Sequence, residues 1–351
     1  MLTAAGAVTL RRVYFVCRRC HVGHHAADLR LGVTGGRSRQ AERLLCLAGA
    51  SWSFAQASSY LNELSGLSVS ANTVRSVCQR EGKHVEDWQS HDPQAGEQFR
   101  QTPGNVEFET DGTCVNTAEG WREMRVGVFA KRGLGESATP EQWKTRKLPA
   151  PSSRAAFAAI EDHETFAARW PLVASRLGIR ANSAIDVLAD GAKWIWERVD
   201  FHFAFARGGL DIFHALEHVN ATGQALFGEG EQATRRWQDQ GRDALLTHGW
   251  SGIAQLIETT RPIAVRAPQR AALDDLSHYL HSHAERLNYR QRLAEGRPIG
   301  SGLIEGACKN YIGRRLKQTG ARWNLDNANR MATLGSLVYA DQWSTYWENQ
   351  N

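Results

Sequence analysis

Apolar residues along this chain recur mostly at helical spacing. Ala41, Leu44, Leu45 and Ala48 share one face of a helix that begins near Ser38. In "SFAQASSYLNELSG", Ser53 can cap a helix, Phe54, Ala57, Leu61 and Leu64 form its stripe, and Gly66 stops it. Ser70 can cap the next helix, "ANTVRSVCQREGK", with Val74, Val77 and Cys78 facing inward. Four stretches read as strands. "VTLRRVYFV", residues 8–16, alternates and is β-branched and aromatic. "VEFETDGT" ends at Asp111, "REMRVGVFAK" covers 122–131, and the apolar run in "AIDVLADGAKWIWERV" ends at Asp190 before a turn and a short helix. Helix is expected from about 151 to 176, almost throughout 211–295, and again over 301–318. The polar residues 89–104, with Pro93, Gly96, Pro103 and Gly104, read as a linker.

Composition narrows the class. The chain has 351 residues, 42% hydrophobic and 23% charged, as in a soluble protein of two or three domains. No apolar run approaches the roughly 18 residues that a membrane-spanning helix needs. No basic region precedes an apolar core at the N-terminus, so no secretory signal is expected. Of the cysteines, only Cys17 and Cys20 are paired by spacing, which argues against a disulfide framework and for a reducing, cytoplasmic compartment. The net charge of +5 permits a polyanionic partner. The basic residues are bunched, with Arg11, Arg12, Arg18 and Arg19 near the start and Arg314, Arg315 and Lys317 near the end.

Two of the strands end in Asp-Gly, at Asp111 and Asp190. An acidic residue just past a strand end sits at the rim of a sheet, where α/β proteins bind ligands; Asp-Gly is also a common turn signal. A third carboxylate, Glu305, lies in "RPIGSGLIEGACKN" among Gly300, Ser301, Gly302, Gly306 and Ala307. Small neighbours are expected to let such a helix approach the sheet. Three carboxylates from two strands and one helix suit Mg²⁺ or Mn²⁺. Two such ions about 4 Å apart can drive in-line displacement at phosphorus, one activating water or a sugar 3′-hydroxyl and the other stabilising the leaving oxygen.

The ordered segments "ETDGTCVNTAEGWREMRVGVF", "VLADGAKWIWERV", "DIFHALEHV", "RPIGSGLIEGACKNYIGRRLKQTGARWN" and "QWSTYW" resemble the Kra-type bacterial insertion-sequence transposases. These are Mutator-related DDE transposases with an RNase H-like core, and the resemblance covers roughly residues 8–348. It implies that Asp111, Asp190 and Glu305 are the metal-binding triad. It implies cleavage at the ends of the element and transfer of the freed 3′-hydroxyls into target DNA, by a homo-oligomer on DNA near the bacterial nucleoid. The implied fold class is mixed α+β or α/β. A partial zinc-ribbon-like segment (1–35), a helix-turn-helix-like domain (36–90) and a linker (91–104) come first. The core (105–214) is then interrupted by a helical insertion (215–297) and closes over 298–351. Asp211 and His214 match the D-x-x-H element that follows the second catalytic Asp in these relatives, which implies a role beside the active site; a helix cap and a satisfied histidine are the plainer alternatives.

In the helix pair, the second helix is expected to enter the major groove with Asn72, Thr73, Arg75, Ser76 and Gln79 outward, while Arg80 and Lys83 touch phosphate. Arg314, Arg315 and Lys317 can bind phosphates or form a solvated helix end. Lys309 is a phosphate contact or a charge-balancing neighbour of Glu305. "CRRC", Cys17 to Cys20, is half of a zinc ribbon. The resemblance implies a second Cys pair upstream, so the expectation is a missing upstream half, with His21, His24 or His25 as substitute Zn²⁺ ligands otherwise. Three rival readings stay open: an inactive or truncated DNA-binding derivative, a structure-specific nuclease on the same core, and a zinc peptidase using His214, Glu217 and His218, since "HALEH" fits H-x-x-E-H.

Overall fold

The computed structural model describes residues 1–180 and 182–348, with Leu29 described by its backbone only. Residue 181 of the expected core and residues 349–351 of its closing segment lie outside the described residues. The fold mixes helices with a central five-stranded sheet. Its strands are β1 (Asn105–Thr117), β2 (Gly120–Arg132), β3 (Ser153–Ala159), β4 (Ile185–Ala189) and β5 (Ala206–Leu210), in the order β5-β4-β1-β2-β3. The first three form an antiparallel meander, whereas β4 and β5 run parallel to β1.

Each face of this sheet has its own hydrophobic core. On one side Phe108, Phe129 and Ile185 meet Phe166, Trp170 and Val199 from helices α4 (His163–Arg176) and α5 (Lys193–His202). On the other, Val126, Val128 and Ala130 meet α1 (Arg39–Ser51), α2 (Phe54–Ser65), α3 (Ala71–His91) and the C-terminal helix Leu325–Tyr339. The N-terminal helices therefore share a core with the sheet. Contact with the C-terminal helix is so close that a Cβ on Gly82 would lie 2.4 Å from the Arg330 carbonyl oxygen.

A separate core lies among the helices Ile212–Phe227 (α6), Gln232–His248 (α7), Trp250–Thr260 (α8), Ala267–His281 (α9) and Tyr289–Ala294 (α10). Arg292 fastens this helical unit to the sheet. It is buried, donates to the Arg207 and Pro298 carbonyls at 3.0 and 2.7 Å, and pairs with the buried Asp186 at 3.4 Å.

The helix caps at Ser38, Ser53 and Ser70 form as the sequence suggests, each side chain accepting from a backbone N–H. Several expectations are corrected. Residues 8–16 contribute only Phe15–Val16 to a small hairpin with Gly23–His24, and Val13 and Val16 stand exposed, so the apolar alternation there has no core to fill. The first core strand does not stop at Asp111 but continues to Thr117, held by β2. The 151–176 segment divides into β3 and α4, because pairing with β2 outweighs the helical preference of its alanines. The strand β5 was not expected at all. The 91–104 stretch is two short helical turns with Phe99 fully buried, not an open linker.

Candidate active site

Strand register brings the first two candidate carboxylates together. Along β4 each residue faces the β1 residue numbered 79 lower, from Ile185 against Val106 to Leu188 against Glu109. Asp190 follows β4 by one residue, and its charge acts on Asp111 of the neighbouring strand, so the end of β4 sets the two carboxylates near one another. Because β4 ends at Ala189 while β1 runs on, Asp111 loses its neighbouring strand on one side and is only half-buried. Its Oδ1 accepts from the Gly112 amide at 2.6 Å. Burial first, then the Asp190 charge, push the Asp111 pKa up; the Gly112 amide and His214 act against them. Asp190 in turn accepts from the Ala192 amide at 3.0 Å, which shapes its turn.

Glu305 arrives on a helix that two buried acids hold in place. This helix runs Gly302–Ala307, loosens into a π-helical turn over Cys308–Gly313, and ends Arg314–Leu316. Glu109, buried in β1 on the same face as Asp111, accepts from the Ile304 amide at 2.8 Å. Asp211 caps α6 by accepting from the His214 amide at 2.9 Å, and its other oxygen accepts from the Ser301 amide and hydroxyl. The carboxylate of Glu305 itself is 65% exposed and paired with Lys309. Cys308 lies between: burial, then the charge of Asp111, push its thiol up to about 12, Glu305 adding to this and Lys317 opposing it. Among the described residues no three His, Cys, Asp or Glu side chains converge closely enough to form a ready-made metal cage.

The small residues around Glu305 serve the expected close approach in part, Ala307 being fully buried in the core shared with the sheet. A Cβ on Gly300 would come within 3.0 Å of Phe213, a true close approach, but one on Gly302 or Gly306 would meet nothing within 4 Å. The face of the helix beside Glu305 is thus bare, not packed.

The helical unit also reaches the site. A Cβ on Gly191 would lie 2.3 Å from the Tyr279 ring, and His218 stacks on that ring with centroids 3.7 Å apart. Burial, then the Asp190 charge, push the Tyr279 hydroxyl up to about 12. This stack occupies His218, while His214 sits 3.4 Å from Glu217, and the two histidines are not gathered with a third ligand. Tyr279 and Glu109 are the residues sequence reasoning missed. Glu109 was detectable in principle, as an acid two positions before Asp111 on the same strand face.

Several expected DNA contacts are corrected. Asp211 is buried and both its oxygens are taken, so it is a structural tie. Arg80 pairs with the buried Glu42 at 2.7 Å, which leaves it no free role as a phosphate contact. Arg315 is buried with its Nε donating to the Gly49 carbonyl at 2.6 Å, so for this residue it is the solvated helix end that is corrected. Lys309 is Glu305's partner, and Lys317 donates to the Thr113 hydroxyl. Asn72, Arg75, Ser76, Lys83 and Arg314 are exposed, and Thr73 and Gln79 partly so. Cys17 and Cys20 are exposed and free at the tip of the N-terminal hairpin. Backbone N–H groups of Cys20 and Arg19, directed at its sulfur, lower the Cys17 pKa and favour its thiolate. The pair alone supplies half of a zinc shell.

Among the described residues no helix is long and apolar enough to cross a membrane. Against models of known protein families the chain matches none, and against curated proteins it matches none either.

Proposed function

We propose that this protein is a DDE-type transposase that cuts DNA at the ends of an insertion sequence and joins the freed 3′ ends to target DNA. The observation that carries this reading is the nearness of Asp190, one residue past β4, to Asp111 on the adjacent strand, whose pKa its charge raises, with the Glu305 helix tied beside them by Glu109 and Asp211. The strand order β5-β4-β1-β2-β3, with an antiparallel meander and two parallel strands, supports an RNase H-like core. The separate core of the helices after β5 supports an inserted helical region between the second Asp and the Glu.

The donor set fits divalent cations. Asp111 and Asp190 are like charges near enough for one to raise the other's pKa, a repulsion that a cation between them relieves. Asp111 and Asp190 would hold Mg²⁺ or Mn²⁺, with Glu305 swinging from Lys309 to complete the shell. Such ions supply a nucleophilic water or 3′-hydroxyl at neutral pH and charge stabilisation at the leaving oxygen. The chain's own residues do the rest. Glu109 and Asp211 orient the helix, and Tyr279 against Gly191 fixes the Asp190 turn. The bare face beside Gly302 and Gly306 leaves room for a DNA strand.

The test is strand cleavage with Mg²⁺ on duplexes taken from the DNA on either side of the gene. Asp190→Asn should bind this DNA as the wild type does and leave it uncut; cutting by that variant would overturn the mechanism. The exposure of Glu305 and its pairing with Lys309 favour a second reading, a DNA-binding derivative without activity. Wild-type protein that binds the duplex but neither cuts nor joins it would decide for that reading.

A further inference from the structure

Arg315 is a buried cation that no carboxylate among the described residues answers. Only 6% of it is exposed. Its guanidinium lies between two aromatic rings, 4.5 Å from the centroid of Phe54 and 4.9 Å from that of Trp323. Its Nε is used by the Gly49 carbonyl, and its Nη2 has no partner among the described residues. Burial lowers its pKa to about 10, which still leaves it charged at neutral pH. An unpaired buried ion is costly, so an anion brought by a partner would be stabilising here.

Arg315 lines a groove of about 440 Å³ between α2, α3 and the loop 318–324. Arg75, Gln79, Gln318, Arg322 and Asn327 line it as well, and none of the described lining residues is acidic. Arg75 is exposed, and Arg322 donates to the carbonyls of Thr117 and Ala118. Three guanidinium groups with uncharged amides between them suit an anion that also offers several hydrogen-bond acceptors.

We propose that this groove seats the phosphodiester backbone of a DNA strand, with Arg315 as its buried charge and Arg75 at its rim. The placement relative to the cut rests on the transposase reading. Arg315 follows Glu305 by ten positions along one helical segment that includes the π-helical turn, at most roughly 15 Å. That is about four base steps at roughly 3.4 Å per step. Arg75 and Gln79 come from the first turns of α3, so the groove joins the helix pair to the end of the segment that carries Glu305.

The experiment uses the full chain and a fluorescein-labelled duplex of about 30 base pairs, with affinity read by anisotropy across a salt series. Losing one phosphate contact flattens the slope of log affinity against log salt by about 0.9 and weakens binding on the order of tenfold at 0.1 M salt. Arg75→Ala and Arg315→Gln are each expected to do this. Arg75 is exposed, so its variant carries the test if Arg315→Gln fails to fold. Inorganic phosphate at matched ionic strength is expected not to compete; saturable displacement of the duplex by it would make this a free-phosphate site and overturn the proposal. Unchanged affinity and slope in both arginine variants would also overturn it, leaving the carboxylates untouched. Conversely, weakened binding in Arg75→Ala beside an Asp190→Asn protein that still cuts DNA would keep the groove and remove the catalytic reading.

Discussion

Asp111 carries a charge that the folded protein disfavours. Its pKa is raised by burial and by Asp190, so the ionised form is less stable folded than unfolded. Sign follows directly: below the ordinary carboxylate range the group is protonated in both states and costs nothing, and the cost grows as pH rises toward neutrality. Asp111→Asn is therefore expected to melt higher than the wild type at pH 7 without metal, by a difference that vanishes as pH falls through the carboxylate range. The same variant is expected to lose cleavage. Millimolar Mn²⁺ is expected to raise the wild-type Tm, by up to about 2.7 kcal/mol of stability at a hundredfold excess over the dissociation constant. It is expected to leave Asp111→Asn and Asp190→Asn nearly unmoved. Differential scanning fluorimetry across pH and metal concentration measures all of this. At this scale the sequence was legible where acids marked strand ends, and Asp111 and Asp190 needed only their Asp-Gly pairs to be noticed. It was illegible where a side chain's partner lies far away in the chain. Nothing local to Arg315 announces Phe54, and nothing local to Arg80 announces Glu42.

At the scale of elements, the Glu305 helix hangs from two buried acids, Glu109 on β1 and Asp211 at the cap of α6. Removing the Asp211 carboxylate leaves the Ser301 and His214 amides without their acceptor, a loss of about 1–3 kcal/mol. Asp211→Ala is expected to lower stability by that amount in a urea titration and to cut cleavage strongly while duplex affinity stays near wild type. Equal losses in affinity and cleavage would place Asp211 on the DNA instead. The elements themselves were readable where caps and stripes agreed, as in α1, α2 and α3. They failed where tertiary pairing overrode composition. The alanine-rich β3 is a strand because β2 pairs with it. In β5, "ARGGL" has little strand character, yet its glycines fit because Trp196 and Arg292 press on them; a Cβ at Gly208 or Gly209 would stand 3.0 or 3.2 Å from those side chains.

At the scale of the molecule, the N-terminal helices and the sheet share one core, and the chain's C-terminal end closes it. The Tyr346 hydroxyl donates to the buried Glu81 at 2.6 Å, and Arg39 donates to the same oxygen at 2.8 Å. Burial alone would push the Glu81 pKa up, but Tyr346 and Arg39 outweigh it and hold it low. The stability this contributes is present above the ordinary carboxylate range and is lost as pH falls through and below it. Tyr346→Phe is expected to cost about 1–3 kcal/mol at pH 7 and to move acid unfolding to higher pH, followed by circular dichroism. Separate domain boundaries drawn from polar composition at 91–104 missed this closure. Phe99, one apolar residue among polar ones, is what fixes that segment to the core.

The central claim is that Asp111, Asp190 and Glu305 hold divalent ions together. Anomalous diffraction from crystals of the protein with DNA and Mn²⁺ tests it most directly. Manganese peaks are expected within about 2.2 Å of oxygens from Asp111 and Asp190, with Glu305 turned away from Lys309 to join them. Manganese bound elsewhere, or none at these carboxylates with the DNA end in place, would contradict it.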